Sequence, residues 1–105
     1  MPTLLTLDTA PSVDGRLVLT ATGEIDLSNV QQFSDALNTA VAGSDRTLTL
    51  DLTGVDYLDS AAVNVLFPYA ERLCVIAHPF LVRIFDISGF SELATVGPSP
   101  PSAEV

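Results

Sequence analysis

The sequence predicts a mixed α/β fold with a small sheet of about four strands. Alternating apolar residues indicate short strands, and apolar residues at helical spacing indicate helices between them. An Asp-Gly pair at residues 14–15 is typical of a tight turn, which would pair the first two strands as a hairpin. Because strands and helices alternate after that hairpin, the later strands should run parallel in one sheet.

The first half of the chain supplies the hairpin and one helix. Alternating apolar residues predict a first strand around residues 5–7 and a second over residues 16–22, which Gly23 should end. Ser28 followed by Gln31 is typical of a capping box at a helix start. The buried stripe of that helix is predicted from apolar residues at helical spacing: Val30, Phe33, Leu37 and Val41.

The second half of the chain repeats the order of strand and helix. Residues 46–52 predict a third strand, and residues 74–77 predict a fourth. Apolar residues recur at helical spacing from Ala62 onward, but Pro68 removes a backbone donor within that pattern. This second helix is therefore either short and kinked, or residues 73–80 are rearranged.

A last helix is predicted from residue 81 onward. Ile84, Phe85 and Ile87 are expected to pack in the core, and Gly89 is expected to end the helix in a left-handed conformation. We expect residues 1–97 to form a single domain, and residues 98–105, rich in proline and serine, to form a flexible tail.

The charge of the chain limits its partners. Thirteen acidic and four basic residues give a net charge of −9, and the arginines are too scattered to form a phosphate-binding stripe. Nucleic acids and anionic membranes are therefore poor candidates. Charged residues and prolines interrupt the apolar runs, which predicts no membrane insertion. The lack of a secretory signal and the single cysteine predict a cytoplasmic protein.

Enzymatic chemistry is not indicated. One histidine, His78, and one cysteine, Cys74, are too few for a zinc site, so we expect no metal. Cys74 is most simply a small core residue. No nucleophile elbow surrounds Ser60, and the glycines form no phosphate-binding loop, so we expect neither catalysis nor a cofactor.

The segment Asp56-Tyr57-Leu58-Asp59-Ser60 places a hydroxyl where a strand gives way to a helix. Asp59 is a good N-cap, which puts Ser60 in the first helical turn. Unpaired backbone N–H groups there favour an added negative group such as phosphate. Ser60 is therefore a candidate switch residue.

Asp26 follows the second strand as Asp59 follows the third. Parallel neighbours bring such turns to the same end of a sheet, so Asp26 could orient the Ser60 hydroxyl or bind a partner. The alternative is that Asp26 and Asp59 only form turns and cap helices, as aspartates commonly do.

Three segments in this order resemble the anti-sigma factor antagonists of the STAS (sulphate transporter and anti-sigma antagonist) domain family: residues 23–26, 55–60 and 83–90. The resemblance implies a small mixed sheet with helices mainly on one face. It also implies that Ser60 is phosphorylated, that Asp26 supports this reaction or binding, and that the anti-sigma factor contacts residues around the serine: Asp26, Asp59, Ser60, Ala61 and Asn64.

The resemblance further implies a partner switch. The unphosphorylated domain would bind an anti-sigma factor that is also a serine kinase, and phosphorylation of Ser60 would release it; a phosphatase would reverse the step. The chain departs from the family where Ala62 and Asn64 replace usual glycines and where the second helix is shortened. Two alternatives stay open: a STAS subunit of a lipid-transport ATPase, and an adaptor in which Ser60 only caps a helix.

Overall fold

The computed structural model describes residues 4–12, 15–43 and 46–98, which form one sheet and three α-helices. The strands are Thr6–Pro11 (β1), Leu17–Ile25 (β2), Leu48–Leu58 (β3), Leu73–Ile76 (β4) and Thr95–Gly97 (β5). The helices are Val30–Ala42 (α1), Ser60–Leu66 (α2) and Pro79–Ser88 (α3), with 3₁₀ helices at Phe67–Arg72 and Phe90–Glu92. The predicted mixed α/β class is confirmed, with β5 as an additional strand. Residues 99–105, where a tail is predicted, lie outside the described residues.

The sheet has the order β1-β2-β3-β4-β5. β1 pairs antiparallel with β2, whereas β2, β3, β4 and β5 are parallel to one another. The predicted hairpin is therefore confirmed; Asp14 of its turn lies outside the described residues, and Gly15 has a positive φ of 87°. The parallel strands bring their carboxyl ends to one edge of the sheet.

Gly23 does not end the second strand, contrary to the sequence prediction. β2 continues to Ile25, and Gly23 sits at a register irregularity with a φ of 104°, where a glycine lets the strand bulge without breaking. β3 likewise continues beyond residue 52 to Leu58. A Cβ at Gly54 would lie 2.5 Å from Thr22 Cγ2, so the close approach of the two strands requires glycine there.

The core lies on one face of the sheet. Alternate residues of β2, β3 and β4 point into it and are buried: Leu19, Ala21, Ile25, Leu48, Leu50, Leu52, Leu73 and Val75. Buried side chains of the helices belong to the same cluster: Phe33, Leu37, Leu66, Leu81 and Phe85. Intervening strand residues such as Thr20, Thr49 and Asp51 remain half-exposed on the other face. The alternation thus leaves the helices packed on one side.

The first helix begins without the predicted capping box. Asn29 is the N-cap of α1, and no side-chain cap bond forms there. Ser28 instead donates its hydroxyl and its amide to the Asp26 carboxylate. The Asn29 side chain is also engaged, since its Oδ1 accepts from the Asp26 amide and its Nδ2 donates to the Glu24 carbonyl. A local turn at Asp26 has therefore replaced the cap.

Pro68 produces the short second helix that one of the two sequence alternatives describes. α2 ends at Leu66, and Pro68 occupies the first turn of the following 3₁₀ helix. A proline is tolerated there because its missing N–H would have had no helical partner. β4 then begins at Leu73, close to the predicted strand.

The last helix confirms two of the predicted core residues and contradicts the third. Phe85 has 0% exposure, Ile84 is half-buried, and Gly89 ends α3 with a φ of 86°. Ile87, however, is 84% exposed. Two positions along a helix turn the side chain by roughly 200°, so Ile87 lies opposite Phe85.

Candidate functional site at the start of the second helix

Ser60 is the first residue of α2 and is exposed to solvent. Asp59 precedes it as the N-cap in an extended conformation, and its Oδ1 accepts the Ala62 amide at 3.2 Å. This bond uses one of the backbone donors that a helix start leaves without a partner. The predicted strand-to-helix transition and its capping aspartate are therefore both confirmed.

The loop that carries Asp26 contacts the turn that carries Ser60. Ile25 pairs with Leu58 at the ends of β2 and β3, and the Asp59 amide donates to the Ile25 carbonyl at 3.2 Å. The Leu27 amide donates to Asp59 Oδ2 at 3.1 Å. The two turns thus meet at one end of the sheet, as the parallel strands predict. The Asp59 carboxylate links the two turns, because it accepts hydrogen bonds from the Leu27 and Ala62 amides.

Asp26 forms the turn that precedes α1. Its Oδ1 accepts the Ser28 hydroxyl at 2.5 Å and the Ser28 amide at 2.9 Å. The Ser28 hydroxyl, aided by that amide, lowers the pKa of the Asp26 carboxyl below its ordinary value. The ionised Asp26 carboxylate is thus stabilised by Ser28 on the loop beside the Ser60 turn.

A groove of about 440 Å³ runs from Ser60 between α2 and α3. Asn64 is exposed and lines this groove, whereas Ala61 is half-buried beside Ser60. Ile87 on α3, which the sequence predicts in the core, also lines it. A signal was available, because Phe85 and Ile87 cannot share one face of a helix.

Metal binding and thiol reactivity have little support in the part of the chain that the structure describes. No group of three His, Cys, Asp or Glu side chains is arranged to hold a metal ion there. Burial raises the pKa of the Cys74 thiol, although Arg16 opposes this shift, so the more nucleophilic thiolate is disfavoured. Within residues 4–12, 15–43 and 46–98, none of the helices has the length and apolar character needed to cross a membrane.

Removing the shared carboxylate should loosen the site. We expect Asp59→Ala to lower the free energy of unfolding by about 1 kcal/mol, because the N-cap bond to Ala62 and the bond from Leu27 are both lost. Urea denaturation measures the change. Asp56→Ala is the matched control, since Asp56 is exposed and only a few residues away in the chain. Equal stability of the two variants would contradict the bridging role of Asp59.

Comparison with known proteins gives the family. A family model described as "Mlab, STAS domain" matches residues 9–95. The chain belongs to the STAS domain family. BtrV of Bordetella bronchiseptica is named as a candidate anti-sigma factor antagonist. It is 29% identical to this STAS domain, over 94% of this chain and 90% of BtrV. The anti-sigma-F factor antagonist RsfA of Mycobacterium tuberculosis is 29% identical over 86% of this STAS domain and 78% of RsfA.

A solved structure agrees with these relatives. The crystal structure of an anti-sigma factor antagonist from Mycobacterium paratuberculosis superposes with a TM-score of 0.85 at 25% identity, covering 98% of this STAS domain and 93% of that chain. This STAS domain is therefore similar in sequence and in fold to anti-sigma factor antagonists, which agrees with the family resemblance seen in the three sequence segments.

Proposed function

We propose that this STAS domain is a cytoplasmic anti-sigma factor antagonist that works by partner switching. Unphosphorylated, it binds an anti-sigma factor that is also a serine kinase; phosphorylated on Ser60, it is released. The observation that supports this proposal most directly is the exposed Ser60 hydroxyl at the start of α2, on the edge of the sheet where the Asp26 and Asp59 turns meet. The names of the relatives supply the class of partner.

Phosphorylation would transfer the γ-phosphoryl group of ATP to Ser60 Oγ. A bond forms between Ser60 Oγ and the γ-phosphorus, the bond from that phosphorus to the β,γ-bridging oxygen breaks, ADP leaves, and the hydroxyl proton passes to a base of the kinase or to solvent. The kinase partner supplies the ATP and magnesium. Because Ser60 is exposed, the phosphate would project into solvent and would not need to displace the core.

Release follows from charge. A phosphoserine carries about −1.5 to −2 charges at neutral pH. It would stand next to the Asp59 carboxylate and near the loop of Asp26, on a protein whose net charge is already −9. We propose that the partner contacts Asp26, Asp59, Ala61 and Asn64 around a neutral Ser60 hydroxyl. An added phosphate would then place more negative charge beside these carboxylates and more bulk against the partner's surface.

The test uses the purified domain, the serine-kinase anti-sigma factors of the same organism, and ATP with magnesium. We expect wild type to bind one of them and to gain a single phosphate on Ser60, located by mass spectrometry of peptides. Ser60→Ala should bind with similar affinity, measured by calorimetry, and gain no phosphate. Treatment of the phosphorylated protein with a serine phosphatase should restore binding.

Two outcomes would replace this proposal with the alternatives. Binding of wild type without any phosphate on Ser60 would indicate a passive adaptor in which the serine only begins a helix. Binding to a subunit of a lipid-transport ATPase, with no binding to an anti-sigma factor, would indicate a regulatory subunit of a transporter. Both results are obtained from the same purified domain by co-purification and calorimetry.

A further inference from the structure

Ser28 does not cap the first helix, and its donors are used elsewhere. The Ser28 hydroxyl donates to Asp26 Oδ1 at 2.5 Å, and the Ser28 amide donates to the same oxygen at 2.9 Å. A hydrogen bond to an ionised carboxylate is roughly twice as strong as one between neutral groups, and O–H donors make it at about 2.5–2.7 Å. Ser28 therefore holds one oxygen of the Asp26 carboxylate with two donors.

The other oxygen of that carboxylate, Asp26 Oδ2, is open. Within residues 4–12, 15–43 and 46–98, no donor bonds to Oδ2, and Asp26 makes no hydrogen bond with Ser60. Asp26 is only partly covered by its neighbours, so a group from outside the domain can reach this oxygen. Because the carboxylate is a planar group, the bonds to Oδ1 also set the direction in which Oδ2 points.

The backbone at Asp26 is fixed independently of its side chain. The Asp26 amide donates to Asn29 Oδ1 at 2.9 Å, and the Asn29 amide donates to the Asp26 carbonyl at 3.1 Å. The next residue, Leu27, donates its amide to Asp59 Oδ2 at 3.1 Å. What remains to be set is the side-chain torsion of Asp26, for which three staggered rotamers would otherwise compete. Ser28 selects one of them.

We infer that Ser28 is a positioning residue, which orients the Asp26 carboxylate so that Oδ2 accepts a hydrogen bond from the anti-sigma factor at the Ser60 turn. The inference rests on the proposed function and adds a residue to which the sequence resemblance gives no role. A carboxylate that is already held in the orientation the partner needs loses less freedom on binding, so the affinity is higher. Ser28 thus acts through Asp26 and not by a contact of its own.

The same local turn occurs a second time in the chain and supplies a matched control. Thr53 donates its hydroxyl to Asp51 Oδ1 at 2.7 Å and its amide to the same oxygen at 2.9 Å. This pair has the same spacing and the same two bonds as Asp26 and Ser28, but it lies within β3 and not in a strand-to-helix turn. Thr53→Ala therefore removes an equivalent hydroxyl at a different place.

Ser28→Ala tests the inference, with Thr53→Ala as the control. Without the hydroxyl, the Asp26 side chain can occupy three rotamers, so we expect the Kd for the anti-sigma factor and the KM for its phosphorylation of Ser60 to rise about threefold. The kcat should stay unchanged, because Ser60 itself is unaltered. Ser28→Thr, which keeps a hydroxyl, and Thr53→Ala should both match wild type. Calorimetry without ATP and initial rates of phosphate uptake give these values.

A double variant and a titration show whether Ser28 acts through Asp26. Asp26→Ala should weaken binding, and the addition of Ser28→Ala should cause no further loss, since the carboxylate that Ser28 orients is then gone. Titration followed by NMR should show a higher pKa of the Asp26 carboxyl in Ser28→Ala than in wild type, because a donor that favours the ionised form is removed. Thr53→Ala should leave that pKa unchanged.

The outcomes separate this inference from the proposed function. If Ser28→Ala binds and is phosphorylated like wild type while Asp26→Ala is impaired, Ser28 has no positioning role and the proposed function still stands. Losses from Ser28→Ala and Asp26→Ala that multiply in the double variant would also overturn the inference, since they would indicate a separate contact. Wild type that binds no anti-sigma factor would overturn both. Circular-dichroism melts check that each variant is folded at the assay temperature.

Discussion

Phe85→Ala is expected to lower the free energy of unfolding by about 3–5 kcal/mol, the usual cost of emptying a phenylalanine site in a core. Phe85 has 0% exposure and packs against Phe90, with ring centroids 5.4 Å apart. Truncation would leave a cavity between α3 and the sheet and would remove this ring contact. Such a loss is a large part of the stability of a domain of this size. Urea denaturation followed by circular dichroism measures it.

Ile87→Ala on the same helix is the matched control. Because Ile87 is 84% exposed, this change should alter the free energy of unfolding by less than about 0.5 kcal/mol. The pair therefore tests the orientation of α3 directly. Equal losses for the two variants, or a larger loss for Ile87→Ala, would show that the helix is rotated from the position described.

Ser60→Glu is expected to weaken binding to the anti-sigma factor by at least about 30-fold, roughly 2 kcal/mol, since it adds a fixed negative charge beside Asp59. Ser60→Gln is the control, because it has nearly the same size and no charge. If repulsion causes release, the glutamine variant should bind several-fold better than the glutamate variant. Calorimetry at low and moderate salt measures both affinities.

The salt dependence makes this comparison sharper. Repulsion between charges near the surface is screened as ionic strength rises, so the affinities of Ser60→Glu and Ser60→Gln should become more similar. A difference that is absent at low salt would mean that bulk at position 60, and not charge, excludes the partner. Release by phosphate would then be steric, and Ser60→Gln would be as defective as Ser60→Glu.

The sequence was sufficient to predict the hairpin, the meeting of the two strand-to-helix turns and most of the helices. Leu19 and Ala21 lie on one face of β2, and Phe33 and Leu37 lie on one face of α1. The spacing of these apolar residues therefore predicted their burial correctly. Asp59 could be predicted as an N-cap because its preference is local. The meeting of the Asp26 and Asp59 turns followed from the parallel pairing of their strands.

The errors arise where local signals compete with tertiary pairing. Gly23 resembles a strand end, yet β2 continues past it with a register irregularity against β3. β5, at Thr95–Gly97, is too short to show a period, and it forms because β4 offers a free edge. Ile87 is apolar, but it lies two positions from the buried Phe85 on α3, so its side chain is on the opposite face of the helix and is exposed.

The Asp59 carboxylate has a consequence for the local dynamics of the domain. Its two oxygens accept amides from segments far apart in the chain, Leu27 and Ala62. Rotation of the Asp59 side chain would free the Leu27 amide, whereas the Ala62 amide would keep its bond to the Asp59 carbonyl at 3.1 Å. Leu27 is otherwise an exposed loop residue whose amide would exchange rapidly. Its protection thus reports the state of a turn that lies more than thirty residues away along the chain.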